Sequence, residues 1–244
     1  MKKPRMILFD YGQTLVTEDK FDGVRGTEAV LKYTVENKYH RTAEEIQEEA
    51  QVINKELNRF DPQTTHLMQV EVPNFMFTNF LYESQGIKLS ISGSQIDRVF
   101  WDAAAPGHPT DGIKEFLTFL EKEGVRTGVI SNICFEPEVV KERIRNMFPD
   151  HDFEFIMPSS EYMYRKPNKR IFSLALEKAG LKADEVWFVG DQYQCDIAGS
   201  KEAGIFPVWY LGAIDVPYTQ DDSVFTVISW KELQDKMNVS ILPT

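Results

Sequence analysis

The stretch Met6-Ile7-Leu8-Phe9-Asp10-Tyr11-Gly12-Gln13-Thr14-Leu15 decides how the rest of the chain is read. Apolar residues run without a break into an aspartate, and a glycine-containing turn follows. A continuous apolar run bounded by turn signals reads as a strand covered on both faces, the kind found in parallel sheets. In open sheets of that kind, ligands bind beyond the carboxyl ends of the strands. Asp10 stands at such an end. By itself it reads equally well as a turn former, because Asp and Gly favour turns. The distinction rests on whether other strands end in residues that complete a site.

Outward from this strand, a regular rhythm sets in after residue 110. An amphipathic helix over 111–123 stops at Gly124. A strand over 125–130 runs into Ser131-Asn132, and a helix follows at 137–146. A short strand at 153–157 precedes a helix over 168–179 that stops at Gly180. The strand 185–189 leads into Gly190-Asp191, and the helix 196–203 stops at Gly204. Strands at 206–210 and 224–228 and a helix at 230–236 complete the pattern. Strands alternating with helices require parallel strands joined by right-handed crossovers. The fold class is therefore α/β, a three-layer Rossmann-like core with a parallel sheet.

Between these parts, residues 17–108 show no strand pattern. Helices are expected at 27–38, 43–60, 73–85 and 94–103. The second is acidic early and basic late, as the helix dipole favours, and Pro62 closes it. The third opens with Pro73 in its first turn and stops at Gly86. Residues 66–70 read as a loop. The expected organisation is a core of residues 1–16 and 109–244 interrupted by an all-helical insert, residues 17–108.

The 244 residues, 42% of them hydrophobic, suit one core domain with an insert. No apolar run approaches the ~20 residues of a membrane helix, and no secretory signal pattern is visible. The expectation is a cytoplasmic protein without a membrane partner. Cys134 and Cys195 form no CxxC pair and read as core fillers. A formal net charge of -11 argues against nucleic acid as a partner. It leaves room for a small phosphorylated ligand, which needs only a local positive site. Oligomeric state is not legible in the pattern.

Four strand-end features then fall in line. Asp10 follows the first strand and Ser131 the second. Lys166 lies in Tyr164-Arg165-Lys166-Pro167-Asn168, just before a helix. Asp191 follows Gly190, with Asp196 five residues on. Taken singly, each has an ordinary reading as a turn residue, a solvated loop lysine or an acid favoured at a helix N-terminus. Their order and context resemble the haloacid dehalogenase (HAD) superfamily of Mg²⁺-dependent aspartyl phosphotransferases, in the subgroup with a helical C1 cap between the first and second core strands. The resemblance covers the whole chain.

That resemblance implies a division of labour. A carboxylate can attack phosphorus and hold the phosphoryl group as an aspartyl phosphate, and Asp10 is the candidate. Mg²⁺ would screen the like charges with oxygen ligands: Asp10, Asp191 and the backbone carbonyl of Gly12, with Asp196 supporting them from outside the ligand set. Ser131 and the backbone after it, at Asn132, would donate to phosphate oxygens. Lys166 would neutralise the nucleophile and the transferring group. Thr14 would support the loop after Asp10 and is counted with Ser131, Asn132 and Lys166 around the substrate phosphate.

The chain departs from the family pattern at one telling place. Phosphatases of the family usually carry a second Asp two positions after the nucleophile, which protonates the leaving group and then activates water. Here that position is Gly12, and the next residue, usually glycine, is Gln13. General acid–base help is worth ~10² to 10⁴-fold. Three readings stay open. One is a phosphatase that draws a surrogate acid from the insert or from water ordered by Gln13, or that acts on a substrate with a good leaving group. The second is a 2-haloacid dehalogenase attacking carbon without a metal. Those enzymes usually have serine and asparagine near Asp191, and a related phosphonatase reading needs an insert lysine that is not identifiable. The third is a non-catalytic phosphate- or metal-binding protein. Arg25, Arg41, Arg59 and His66 are the insert's candidates for a substrate anion or surrogate acid, and each reads more often as a surface or helix-face residue. Phe75, Phe77, Phe80 and Tyr82 read as packing within the insert or against the core.

Overall fold

The computed structural model describes residues 2–59, 64–214 and 224–239. The apolar runs become a six-stranded sheet: β1 (Met6–Phe9), β2 (Arg126–Ser131), β3 (Ile156–Pro158), β4 (Val186–Gly190), β5 (Phe206–Tyr210) and β6 (Phe225–Val227). The spatial order is β6-β5-β4-β1-β2-β3, and every neighbouring pair is parallel. β1 is central and all four of its residues are buried. Side chains on a strand alternate between faces. Ile7 and Phe9 accordingly pack on one side, against Phe116 and Leu120 of the helix Ile113–Lys122 and Trp230 of the helix Trp230–Val239. Met6 and Leu8 pack on the other, against Ile171, Phe172 and Ala175 of the helix Lys169–Ala179. Helix, sheet and helix form the three layers expected. Gly124 and Gly180, which end two of these helices, adopt φ of 66° and 62°, the left-handed conformation that favours glycine.

Among the described residues the insert is built on four α-helices, Gly23–Leu31, Ala43–Glu56, Asn74–Ser84 and Gly93–Ala104. Thr42 and Glu45 form a reciprocal capping box at the start of the second, so its early acids satisfy backbone donors as well as the dipole. Where Pro62 was expected to close that helix, the chain lies outside the described residues.

Two short ribbons correct the expectation that the insert is all-helical. Thr34–Asn37 pairs antiparallel with Ile87–Leu89, and Val16–Glu18 pairs antiparallel with Gly107–Pro109. These strands are three or four residues long and meet partners fifty to ninety residues away, so no local period marks them. The first helix consequently ends at Leu31 instead of running to residue 38. Residues 65–67 form a single tight turn, and Val70 bridges Tyr164 of the core.

Val30, Ile46, Leu81, Tyr82, Ile87 and Ile96 make a separate apolar cluster inside the insert. The aromatic run is split: Tyr82 is buried and Phe77 partly so, but Phe75 and Phe80 are 50% and 60% exposed, which corrects the expectation that all four pack. Among the described residues no helix is long and apolar enough to cross a membrane.

Candidate active site

Parallel register assembles the site. Phe9 stands opposite Val129 of β2 and Val189 of β4. Asp10, one residue past Phe9, and Ser131 and Asp191, two residues past Val129 and Val189, therefore stand at the carboxyl ends of three neighbouring strands. The Asp10 amide donates to the carbonyl of Val189 at 2.8 Å, which extends the ladder one residue past β1.

Lys166 arrives from a loop, and Asn132 holds it there. The Asn132 amide nitrogen donates to the Lys166 carbonyl at 2.8 Å, and its carbonyl oxygen accepts from the Lys166 N–H at 2.7 Å. The Asn132 side chain is thus committed to the backbone of Lys166. The ammonium of Lys166 is buried and lies 2.6 Å from Asp10 Oδ1 and 2.7 Å from Asp196 Oδ1. Burial pulls this lysine toward its neutral form, but the two carboxylates outweigh it and hold the ammonium above its ordinary range.

Asp196 does not open an α-helix as expected. Residues 193–198 form a widened, π-type turn before a short helix, Gly199–Glu202. Such turns cluster at functional sites. Here the Asp196 carboxylate folds back to accept from the Gln192 N–H at 2.9 Å. A β-carbon on Gly190 would overlap that carboxylate, so glycine at the end of β4 is what lets it in.

Asp10, Asp191 and Asp196 each offer an oxygen, and the three oxygens lie within 4.8 Å of one another. Three carboxylates face one ammonium. Burial and the charges of Asp10 and Asp196 push Asp191 well above the usual carboxylate range. Burial, opposed by Lys166, pushes Asp196 up to about 6. A hard, oxygen-rich donor set with surplus negative charge fits a divalent cation such as Mg²⁺.

Asp10, Gly12, Ser131, Asn132, Lys166, Asp191 and Asp196 all line one cavity of about 660 Å³ between the sheet edge and the insert. Thr14 does not. It is fully buried, and its hydroxyl reaches Asp191 Oδ1 at 3.5 Å, which places it behind the site and away from a substrate. Of the insert's four cationic candidates, only Arg59 lines the cavity, its guanidinium over the Phe77 ring. Arg25 donates to the Ala103 carbonyl, Arg41 pairs with Glu45 at 3.6 Å, and His66 lies outside the lining.

Sequence reasoning missed Glu18, which also lines the cavity and accepts from Trp101 Nε1 at 2.9 Å. It missed the contacts that join the insert to the core too. The Asn74 N–H donates to the Cys134 carbonyl at 2.8 Å, and Asp97 accepts from Asn74 at 2.6 Å and from the Glu136 N–H at 2.8 Å. Glu18 alternates with buried Val16 in Val16-Thr17-Glu18, a faint strand signal that three residues are too few to establish.

A glyceraldehyde 3-phosphate phosphatase of Pyrococcus furiosus is 35% identical over 99 residues, which cover 41% of this chain and 40% of that protein. A pyrimidine 5'-nucleotidase of Escherichia coli is 30% identical over 205 residues, 83% of this chain and 84% of that protein. The solved structure of a 2-haloacid dehalogenase from Pseudomonas syringae superposes with a TM-score of 0.64 at 19% identity, over 96% of this chain and 98% of that one, a likeness of fold alone. The family profile described as haloacid dehalogenase-like hydrolase matches residues 7–210. In this chain the parallel sheet brings Asp10, Ser131, Lys166 and Asp191 to one cavity beside the insert, and the chain belongs to the haloacid dehalogenase-like hydrolases.

Proposed function

We propose that the chain is a Mg²⁺-dependent phosphatase that acts on a small phosphorylated metabolite through an aspartyl phosphate on Asp10. The observation that carries this reading is the surplus of carboxylates at the edge of the sheet: Asp10, Asp191 and Asp196 around a single buried Lys166. Dehalogenation at carbon, the alternative, has no use for that surplus charge.

In this reading Asp10, Asp191 and the Gly12 carbonyl hold Mg²⁺, with Asp196 and Thr14 positioning the ligands. When bound, the ion screens the repulsion between the carboxylates and a phosphate dianion. Asp10 Oδ attacks phosphorus. Ser131 and the N–H of Asn132 that follows it donate to the phosphate oxygens, and Lys166 balances the charge that develops there. Residues 17–108 act as a cap over a core of 1–16 and 109–244, and their closure excludes water.

The cavity is lined by Phe21, Phe77, Phe100 and Trp101 together with Asn54 and Arg59. Such a lining suits a leaving group with a flat apolar face and polar edges. With a relative named as a pyrimidine 5'-nucleotidase, pyrimidine 5'-nucleotides head the substrate panel.

The test is phosphate release from nucleotides, sugar phosphates and aryl phosphates, with and without Mg²⁺, for the parent and Asp10→Asn. Release that needs both Mg²⁺ and Asp10, with a loss of about 10⁴-fold or more in the variant, is expected. Metal-independent chloride release from 2-chloropropionate would transfer the assignment to a dehalogenase. Tight phosphate binding without turnover would leave a binding protein.

A further inference from the structure

The family's usual acid–base carboxylate is missing at position 12, and the structure puts another carboxylate in the gap. Gly12 does not adopt the left-handed conformation that would demand glycine. A β-carbon built on it meets one atom within contact range, Glu18 Oε2 at 3.8 Å. The carboxylate of Glu18 thus stands where a side chain from position 12 would project, in the cavity that also holds Asp10.

Its placement is built in detail. Glu18 belongs to the ribbon Val16–Glu18, paired with Gly107–Pro109. Its backbone carbonyl accepts from Gln13 Nε2 at 3.2 Å, which ties it to the turn after Asp10. The two carboxylate oxygens have different surroundings. Oε1 accepts from Trp101 Nε1 at 2.9 Å and from the Tyr11 hydroxyl at 3.4 Å, and lies 3.6 Å from the Arg143 guanidinium. Arg143 in turn donates to the Tyr11 hydroxyl at 3.0 Å. Oε2 faces Gly12 and, among the described residues, accepts no hydrogen bond. One oxygen is an anchor and the other is available.

We propose that Glu18 is the general acid and base of this enzyme, replacing the carboxylate absent at Gly12. The inference rests on the phosphatase reading. In the first step Asp10 Oδ bonds to phosphorus, the bond from phosphorus to the leaving oxygen breaks, and that oxygen takes the proton of Glu18 Oε2. In the second step water attacks phosphorus and gives its proton to the Glu18 carboxylate. The bond from phosphorus to Asp10 then breaks, which returns Asp10 as a carboxylate and releases phosphate. The first step needs a protonated carboxyl. Burial pushes Glu18 up from the ordinary carboxylate range, against Arg143 and the hydrogen bonds from Trp101 and Tyr11.

The test compares the parent and Glu18→Gln, both with Mg²⁺, on p-nitrophenyl phosphate, whose leaving group needs little protonation, and on phenyl phosphate, whose leaving group needs more. Glu18→Gln should lose ~10² to 10⁴-fold on phenyl phosphate and far less in the first turnover of the p-nitrophenyl ester. Its phosphoenzyme should accumulate on Asp10, trapped by acid quench. Equal losses on both esters, without accumulation, would make Glu18 a structural partner of Arg143 and overturn the proposal. Glu18→Asp keeps the charge beside Arg143 but draws the oxygen back from Gly12, so it should show the same ester dependence in a folded protein. Gly12→Asp in the Glu18→Gln background should restore the phenyl ester, and no recovery there would count against the replacement. If the parent releases no phosphate from either ester, the phosphatase reading fails, and this proposal with it. If the parent works and Glu18→Gln matches it, only the role of Glu18 fails.

Discussion

Asn132 follows a catalytic candidate, and its effect is felt one residue away. Both ends of its amide are engaged with the backbone of Lys166, and the lysine in turn bridges Asp10 and Asp196. A buried ammonium is stable only beside such partners, because the charged form is costly away from water. Replacing Asn132 with alanine removes both bonds and leaves two backbone groups to find other partners, at about 1–3 kcal/mol. It also frees the lysine to drift, and a misplacement near 1 Å can cost ~10²-fold in rate. Asn132→Ala should therefore lower kcat by about two orders of magnitude with a modest loss of stability. Asn132→Asp, which keeps the acceptor for the Lys166 N–H, should fall between it and the parent. Steady-state kinetics with urea denaturation of all three proteins checks the order. Unchanged kcat in Asn132→Ala would mean that the carboxylates alone position Lys166.

Among elements, the helix Gly93–Ala104 ties the insert to the core through Asp97, Arg98 and Asp102. Its Asp97 accepts from Asn74 within the insert and from the Glu136 N–H at the start of the core helix Pro137–Met147. The side chain is buried, and burial pushes its carboxyl up to about 6 against those two hydrogen bonds. The direction decides the pH effect. Between about 3.8 and 6 the folded protein holds this proton more firmly than the unfolded chain does. The stability contributed by the group is therefore full at the acid end, falls as pH rises to about 6, and is level above it. The stability difference between the parent and Asp97→Asn, read from urea denaturation at intervals from pH 4 to 7, should shrink across that window and then stay constant. A difference that does not change with pH would mean that Asp97 titrates at its ordinary value.

At the scale of the molecule, negative charge concentrates where the sheet opens. The chain carries a formal net charge of -11, and three of its acids converge on one lysine. A cation that binds only the folded state stabilises it by mass action, ~2.7 kcal/mol at a hundredfold excess over Kd. Mg²⁺ should raise Tm relative to EDTA, and Asp191→Asn should reduce most of that rise while leaving the fold intact. Calorimetry of both proteins with and without Mg²⁺ measures this independently of turnover. An equal shift in the variant would place the bound ion elsewhere. The ribbon Val16–Glu18 with Gly107–Pro109 carries both chain crossings between core and insert. A carboxylate on that ribbon would therefore move with any closure of the insert.

The order of strands and helices in the core, the α/β class and the positions of Asp10, Ser131, Lys166 and Asp191 were legible in the linear pattern. Buried parallel strands are apolar throughout and end in polar turns, and that signal is local. The ribbons of the insert were not legible, because three-residue strands paired across fifty to ninety residues leave no local period. The same distance hid Glu18, whose neighbours Trp101 and Arg143 lie far along the chain, and Asp97, whose partners are Asn74 and a core backbone amide. Thr14 and Asn132 were expected around the substrate phosphate; the folded chain sets Thr14 against Asp191, outside the cavity lining, and commits the Asn132 side chain to the backbone of Lys166. Strand ends are set by hydrophobic run and turn chemistry. The direction of a side chain, and the company that shifts its proton affinity, depend on segments that meet only when the sheet and the insert close together.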